Sequence, residues 1–218
     1  MHPVGVLVLI RHGQSTDNEQ NLFSGWRDPE LTARGIEEAR NAGLMLKAQG
    51  FEFEVAFTSK LDRARRSLEI MLAAMDLGDL PVISNQALNE RDYGDLSGLN
   101  KDEARSVWGA EQVKLWRKSY DAVPPGGESL AMTAARMLPF WKQEIEPRVS
   151  RGECVLVLAN GNSLRSIVTY LEDLSQKAVV GVHIATSGVL VYEVTQAGEA
   201  RRRSSKGADV AGRPVLPI

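Results

Sequence analysis

The 218-residue chain has one cysteine, three histidines and no long uncharged apolar run. A lone thiol, Cys154, cannot close an internal disulfide, which fits a reducing compartment; beside the apolar run Val155 to Leu158 it reads as a small core residue. The lack of ~20 consecutive apolar residues argues against a membrane-spanning helix. The apolar stretch near the start carries no basic leader and no clear cleavage site, so no signal peptide is expected and the cytoplasm is the expected location. A formal net charge of −2 favours neither nucleic acid nor an anionic membrane as a partner. His2, His12 and His183 have no metal-ligand spacing with one another or with Cys154, so no metal is expected. The chain has no G-x-x-x-x-G-K-S/T phosphate loop, no Gly-rich dinucleotide fingerprint after a strand, no internal repeat and no low-complexity block. Gly161-Asn162-Ser163 begins like a nucleophile elbow, but Arg165 stands where the second glycine belongs.

What is present is enough for one compact domain: 43% of the residues are hydrophobic and 25% charged. The β-branched run Gly5 to Ile10 reads as a strand buried on both faces. Thr32 caps a helical pattern that ends at Gly50, and Val55 to Thr58 is a second strand followed by a helix over Asp62 to Met75. Pro81 to Ser84 reads as a short strand and Ala87 to Leu99 as irregular. Helices are expected over Lys101 to Trp108, Glu111 to Tyr120 and Ser129 to Ile145, with a break at Pro124 to Gly127. Cys154 to Ala159 is a strand, Asn160 to Ser163 a turn, Leu164 to Leu171 a helix and Val189 to Val194 the last strand. The expected organisation is one domain over residues 1–200 and a polar, mobile tail over 201–218. Alternating strands and helices predict an α/β fold in three layers, with a mostly parallel central sheet flanked by helices. Sites in such sheets form at the carboxyl ends of strands, which selects Arg11-His12-Gly13 and Asn160-Gly161-Asn162.

A neutral imidazole is a good nucleophile toward phosphorus, so His12 is the candidate carrier of a phosphoryl group. Arg11 offers a forked cation for phosphate oxygens, and Gly13 lets the backbone approach a ligand. Arg63, Arg91, Lys101, Arg117 and Lys118 lie near loop or helix starts; spacing alone leaves each as a surface charge or as part of a pocket for a multiply charged anion. Glu90 is either a general acid and base or a salt-bridge partner of Arg91 or another basic group.

The segments LVLIRHGQSTDN, FSGWRDPELT, FTSKLDRA, LNERDYGDLSGLNK, EQVKLWRKSYD, GGESL and NGNSLR together resemble the histidine phosphatase superfamily. Within it the chain is similar to the 2,3-bisphosphoglycerate-dependent phosphoglycerate mutases, over roughly residues 4–195. The resemblance implies that His12 is the phosphorylated nucleophile, that Arg11 and Arg63 grip the transferring group, that Asn18 contacts phosphate, and that Glu90 moves the proton. It implies that Ser24, Gly25, Arg91, Tyr93, Lys101, Arg117 and Lys118 hold the rest of the substrate, and that Gly161 and Asn162 line the pocket. The implied reaction interconverts 3-phosphoglycerate and 2-phosphoglycerate, primed by 2,3-bisphosphoglycerate, without a metal. Members are often dimers or tetramers, so a homodimer or homotetramer is the implied assembly.

Four departures stand out. Asn160 occupies the place of the family's second catalytic histidine; it can donate a hydrogen bond but carries no positive charge. Removing one such donor typically costs roughly 10²–10³ in rate. Lys118 replaces an arginine and loses its fork. Val123 to Glu128 is short where many members carry a longer insertion, and Thr186-Ser187-Gly188 has one extra residue. Three readings stay open: a mutase weakened by Asn160, a non-catalytic binder of phosphorylated ligands, and a phosphatase acting on another phosphomonoester.

Overall fold

The computed structural model describes residues 4–212. In chain order the elements are β1 (Gly5–Arg11), α1 (Thr16–Glu19), α2 (Ala33–Ala48), β2 (Val55–Thr58), α3 (Asp62–Met75), β3 (Val82–Ser84), α4 (Lys101–Trp108), α5 (Ala110–Lys118) and α6 (Leu130–Phe140). There follow α7 (Glu146–Ser150), β4 (Cys154–Ala159), α8 (Gly161–Leu171), α9 (Gln176–Val179), β5 (Val182–Val194) and β6 (Ala200–Val210). The six strands form one sheet in the order β3-β2-β4-β1-β5-β6. The first four are parallel; β5 runs antiparallel to β1, and β6 antiparallel to β5.

The apolar run of β1 has a direct consequence. Leu7 and Leu9 face one core, with Trp141, Ile145, Leu164 and Ile167, while Val8 and Ile10 face another, with Leu46, Leu68 and Met71. Side chains alternate across a strand, so an unbroken apolar strand needs helices on both faces, and the result is three layers. Arg11 pairs with Ala159, so β1 and β4 end flush. The His12 amide then donates to Ala159 O at 3.1 Å, and the first residues beyond both strands meet at one sheet edge.

Three expectations need correction. Residues 201–210 are not a mobile tail: Ala200–Val210 is an edge strand paired along β5, with Arg202 buried against Glu172 at 3.1 Å. Its cationic sequence resembles a solvated end because edge strands use charge to discourage further pairing. Residues 213–218 of that expected tail lie outside the described residues. Second, β5 begins at Val182 rather than Val189, and a bulge interrupts it between Ile184 and Val189. The extra residue in Thr186-Ser187-Gly188 is absorbed there: Ser187 adopts φ 51° and its amide donates to His12 O at 3.2 Å. Third, the helix expected over Ser129–Ile145 is α6 followed by a π turn over Trp141–Ile145 and then α7. The change of register comes just after Pro139, which has no amide to donate, and it keeps Trp141, Ile145 and Val149 in the core. Among the described residues no helix is long and apolar enough to cross a membrane.

Gly13 also serves a different purpose from the expected one. A Cβ on Gly13 would meet Gly35 O at 2.2 Å, and one on Gly35 would meet Gln14 O at 2.0 Å. The two glycines let the loop after β1 lie directly on the first turn of α2. Gly35→Ala should therefore destabilise the fold by roughly 1–3 kcal/mol, whereas Gly78→Ala, with open space around it, should leave the denaturation midpoint unchanged. Chemical denaturation of both variants checks this.

Candidate active site

His12 is 2% exposed. Its Nδ1 lies 2.7 Å from Gly13 O, an acceptor only, so Nδ1 carries the proton. Nε2 is left as an acceptor, and Arg63 Nε donates to it at 3.4 Å. Burial, then the cations of Arg63 and Arg11, hold the imidazole well below the ordinary histidine pKa, against the opposing pull of Gly13 O. The ring is therefore neutral near pH 7, with its reactive nitrogen proton-free.

Arg63, on the first turn of α3, is buried and held by main-chain carbonyls: Nη1 donates to Arg27 O at 2.7 Å and Nη2 to Gly25 O at 2.9 Å. Arg11 donates from Nη1 to Ile184 O at 2.8 Å, and its buried Nε has no partner among the described residues. Burial lowers the pKa of both guanidiniums, with Glu90 opposing. Glu90 is itself buried; its Oε1 accepts from the amides of Arg91 at 2.7 Å and Asn162 at 3.1 Å. A Cβ on Gly161 would stand 3.5 Å from Arg11 Nε and 3.7 Å from Glu90 Oε2. Glycine leaves that volume between cation and carboxylate for a ligand.

Arg11, Arg63, Glu90 and Gly161 border a cavity of about 210 Å³; His12 is not among its lining residues and meets it through Arg63. Among the described residues Arg11, Arg63, Lys101, Arg117, Lys118 and Arg165 line it, against the single carboxylate of Glu90. A chain of net charge −2 thus concentrates cationic charge in one hollow. Burial, then Arg117 and Arg11, push Lys101 down to about 8. Burial, then Arg165 and Arg117, lower Lys118. Asn18, Ser24, Gly25, Tyr93, Gly161 and Asn162 also line the cavity, and Asn162 Nδ2 donates to the Tyr93 hydroxyl at 3.3 Å.

Besides His12, two expected residues are not among the lining residues. Arg91 is buried behind the wall, where Nη2 donates to Trp116 O at 2.6 Å and the guanidinium lies 4.5 Å from the Tyr93 ring centroid. It holds the end of α5, which carries Arg117 and Lys118. Asn160 is fully buried, and its Nδ2 donates to Ser59 Oγ at 2.9 Å and Leu88 O at 3.3 Å. Its Oδ1 has no partner among the described residues, and its side chain is not part of the cavity lining.

Arg165 and His183 line the cavity, although neither was expected as a site residue. Arg165 lies one helical turn beyond Gly161, so the start of α8 at Gly161 puts both on one face. No sequence signal marks His183, which lies in the part of β5 before Val189, where the expected strand began.

The histidine phosphatase superfamily (branch 1) model matches residues 7–205. The chain is 58% identical over 198 residues to the 2,3-bisphosphoglycerate-dependent phosphoglycerate mutase of Parvibaculum lavamentivorans, covering 91% of this chain and 94% of that protein. It is 58% identical over 189 residues to the protein of the same name from Nitrobacter winogradskyi, covering 87% and 91%. The crystal structure of phosphoglycerate mutase from Bacillus anthracis shares the fold, with a TM-score of 0.77, 22% identity and 93% of each chain covered. With His12 at the end of β1 and a cationic hollow above it, the chain belongs to the histidine phosphatase superfamily, and within it to the 2,3-bisphosphoglycerate-dependent phosphoglycerate mutase family.

Proposed function

We propose that the protein interconverts 3-phosphoglycerate and 2-phosphoglycerate through a phosphohistidine at His12, with turnover reduced by Asn160. The observation that carries this reading is the His12 ring: Nδ1 is tied to Gly13 O, and Nε2 is proton-free beside Arg63, one of the cations that wall the cavity. The names of the relatives support the substrate pair. The proposed setting is the cytoplasm, with a small phosphorylated molecule as the partner.

The cavity suits a ligand with two anionic ends. Arg11 and Arg63 stand beside His12, and Lys101, Arg117 and Lys118 come from α4 and α5. When bound, 2,3-bisphosphoglycerate supplies the phosphoryl group that first loads His12. Nε2 attacks phosphorus, the ester P–O bond breaks, and the departing oxygen takes a proton from Glu90. In the reverse direction Glu90 accepts a proton from a substrate hydroxyl, whose oxygen attacks phosphorus as the P–N bond breaks. Transfer to one hydroxyl of a bound monophosphate, and back from the other, moves the group between the two positions. Arg11 and Arg63 hold the phosphoryl oxygens throughout, with Arg63 Nε exchanging His12 Nε2 for an oxygen. Asn18, Ser24, Gly25, Tyr93, Gly161 and Asn162 shape the wall, and Arg91 acts from behind it through Tyr93 and α5.

A non-catalytic binder is the second reading. It is favoured by Asn160, whose amide is engaged with Ser59 and Leu88 and which brings no charge toward the phosphoryl group. Incubation with 2,3-bisphosphoglycerate followed by intact-mass measurement separates the two. One added phosphoryl group, absent in His12→Ala, is expected; an unmodified mass would favour the binder. Asn160→His should raise mutase turnover by roughly 10²–10³ in a coupled assay. No gain would mean that the asparagine does not limit the rate.

Lys101 gives the expected pH dependence. Its ammonium loses its proton as pH rises through about 8, so the free protein should bind bisphosphoglycerate more weakly at pH 9 than at pH 7. Lys101→Arg keeps its charge across that range and should flatten the fall, measured as Kd by calorimetry.

A further inference from the structure

We propose that the Glu128–Arg136 ion pair is the positioning unit for Glu90, and that it governs proton transfer at the site rather than phosphoryl transfer as such. The inference rests on the acid–base role proposed for Glu90. The GGESL segment, which contains Glu128, borders no part of the cavity lining.

The backbone that carries Glu90 has no sheet ladder to hold it. A short 3-10 turn over Gln86–Leu88 leads into irregular chain, and the carbonyls of this stretch converge on one guanidinium. Arg136 Nη1 donates to Ala87 O at 2.8 Å and Gln86 O at 3.3 Å, and Nη2 to Glu90 O at 2.9 Å and Asn89 O at 3.1 Å. Glu128 fixes that guanidinium in return, accepting from Nε at 2.8 Å and from Nη2 at 3.0 Å. Its Oε2 also accepts the Asp92 amide at 3.0 Å. The pair therefore brackets Glu90 on both sides along the chain.

A third contact closes the bracket. Trp26 Nε1 donates to Glu90 O at 2.6 Å, and the Arg136 guanidinium lies 5.5 Å from the Trp26 ring centroid. Inside it, Glu90 Oε1 is held by two amides, so the direction of Oε2 follows from the orientation of this backbone. A small rotation of the 89–90 peptide swings the carboxylate away from the leaving oxygen and leaves His12, Arg11 and Arg63 where they are. Arg136 and Glu128 do not touch the cavity, so they are positioning residues.

The test uses two phosphoryl donors to His12 in the full-length protein. An alkyl ester, 2,3-bisphosphoglycerate, needs a proton on its leaving oxygen; 2,4-dinitrophenyl phosphate leaves as a stable phenolate and needs none. Arg136→Lys and Glu128→Gln should each slow His12 phosphorylation from the alkyl ester by about 10²-fold and leave the aryl-donor rate near wild type. Glu90→Gln should show the same donor selectivity. Equal losses on both donors in the positioning variants, or no loss on either, would overturn the inference while Glu90→Gln remains selective. If Glu90→Gln is itself unselective, the acid–base reading fails first. Should either charge variant fail to fold, Trp26→Phe removes the indole donor to Glu90 O and keeps a smaller aromatic ring at a partly exposed position. It should give a smaller loss confined to the alkyl ester, and a loss equal on both donors would again overturn the proposal.

Discussion

The parallel pairing of β1 with β4 is the constraint on which the site depends. Six consecutive pairs, from Val6 with Cys154 to Arg11 with Ala159, bring both strands to an end at the same level. His12 and Asn160 are the first positions beyond that edge, and α8 starts at Gly161 with its amides directed toward the same space. On the other side of β1, the bulge in β5 sends Ser187 N to His12 O. The nucleophile is thus held through its own backbone from both neighbouring strands, before any side chain contributes. A site fixed on strand ends in this way keeps its geometry better than one built on loops alone.

Charge is handled by a second device. Arg63, Arg91 and Arg11 are all buried or nearly so, yet the partners that hold them in place are carbonyl oxygens: Gly25, Arg27, Trp116 and Ile184. Carbonyls satisfy the N–H groups and leave the positive charge uncancelled. Had carboxylates done the same work, the pocket would be neutral and indifferent to anions. Burial first, and then Arg63 and Arg11, keep His12 unprotonated, so two of the cations that attract the phosphorylated ligand also help prepare the nucleophile.

Most of the regular elements were legible because their patterns are unambiguous. The apolar runs of β1, β2 and β4 and the capped, periodic helices α2 and α3 leave little choice. Legibility failed where tertiary context outweighed local pattern. β6 is cationic because it is an edge, and α6 changes register at a proline so that Trp141 can stay in the core. At the site, residue type identified His12, Glu90 and the cations as a set, but not which of them face the ligand. Arg91 turned inward to hold α5, Asn160 turned to Ser59, and Arg165 and His183 entered the cavity unannounced. Nothing local distinguishes an arginine that points into a hollow from one that braces its wall.

The sequence by itself determined the strand-end histidine, the layered α/β architecture and the family, because these follow from short-range periodicity and contiguous motifs. Only the tertiary structure decided the environment of His12 Nε2, the convergence of cations from five separate stretches, and the bracket around Glu90. Each of those depends on groups far apart in the chain being brought together, and how near they come is set by how the layers close on one another.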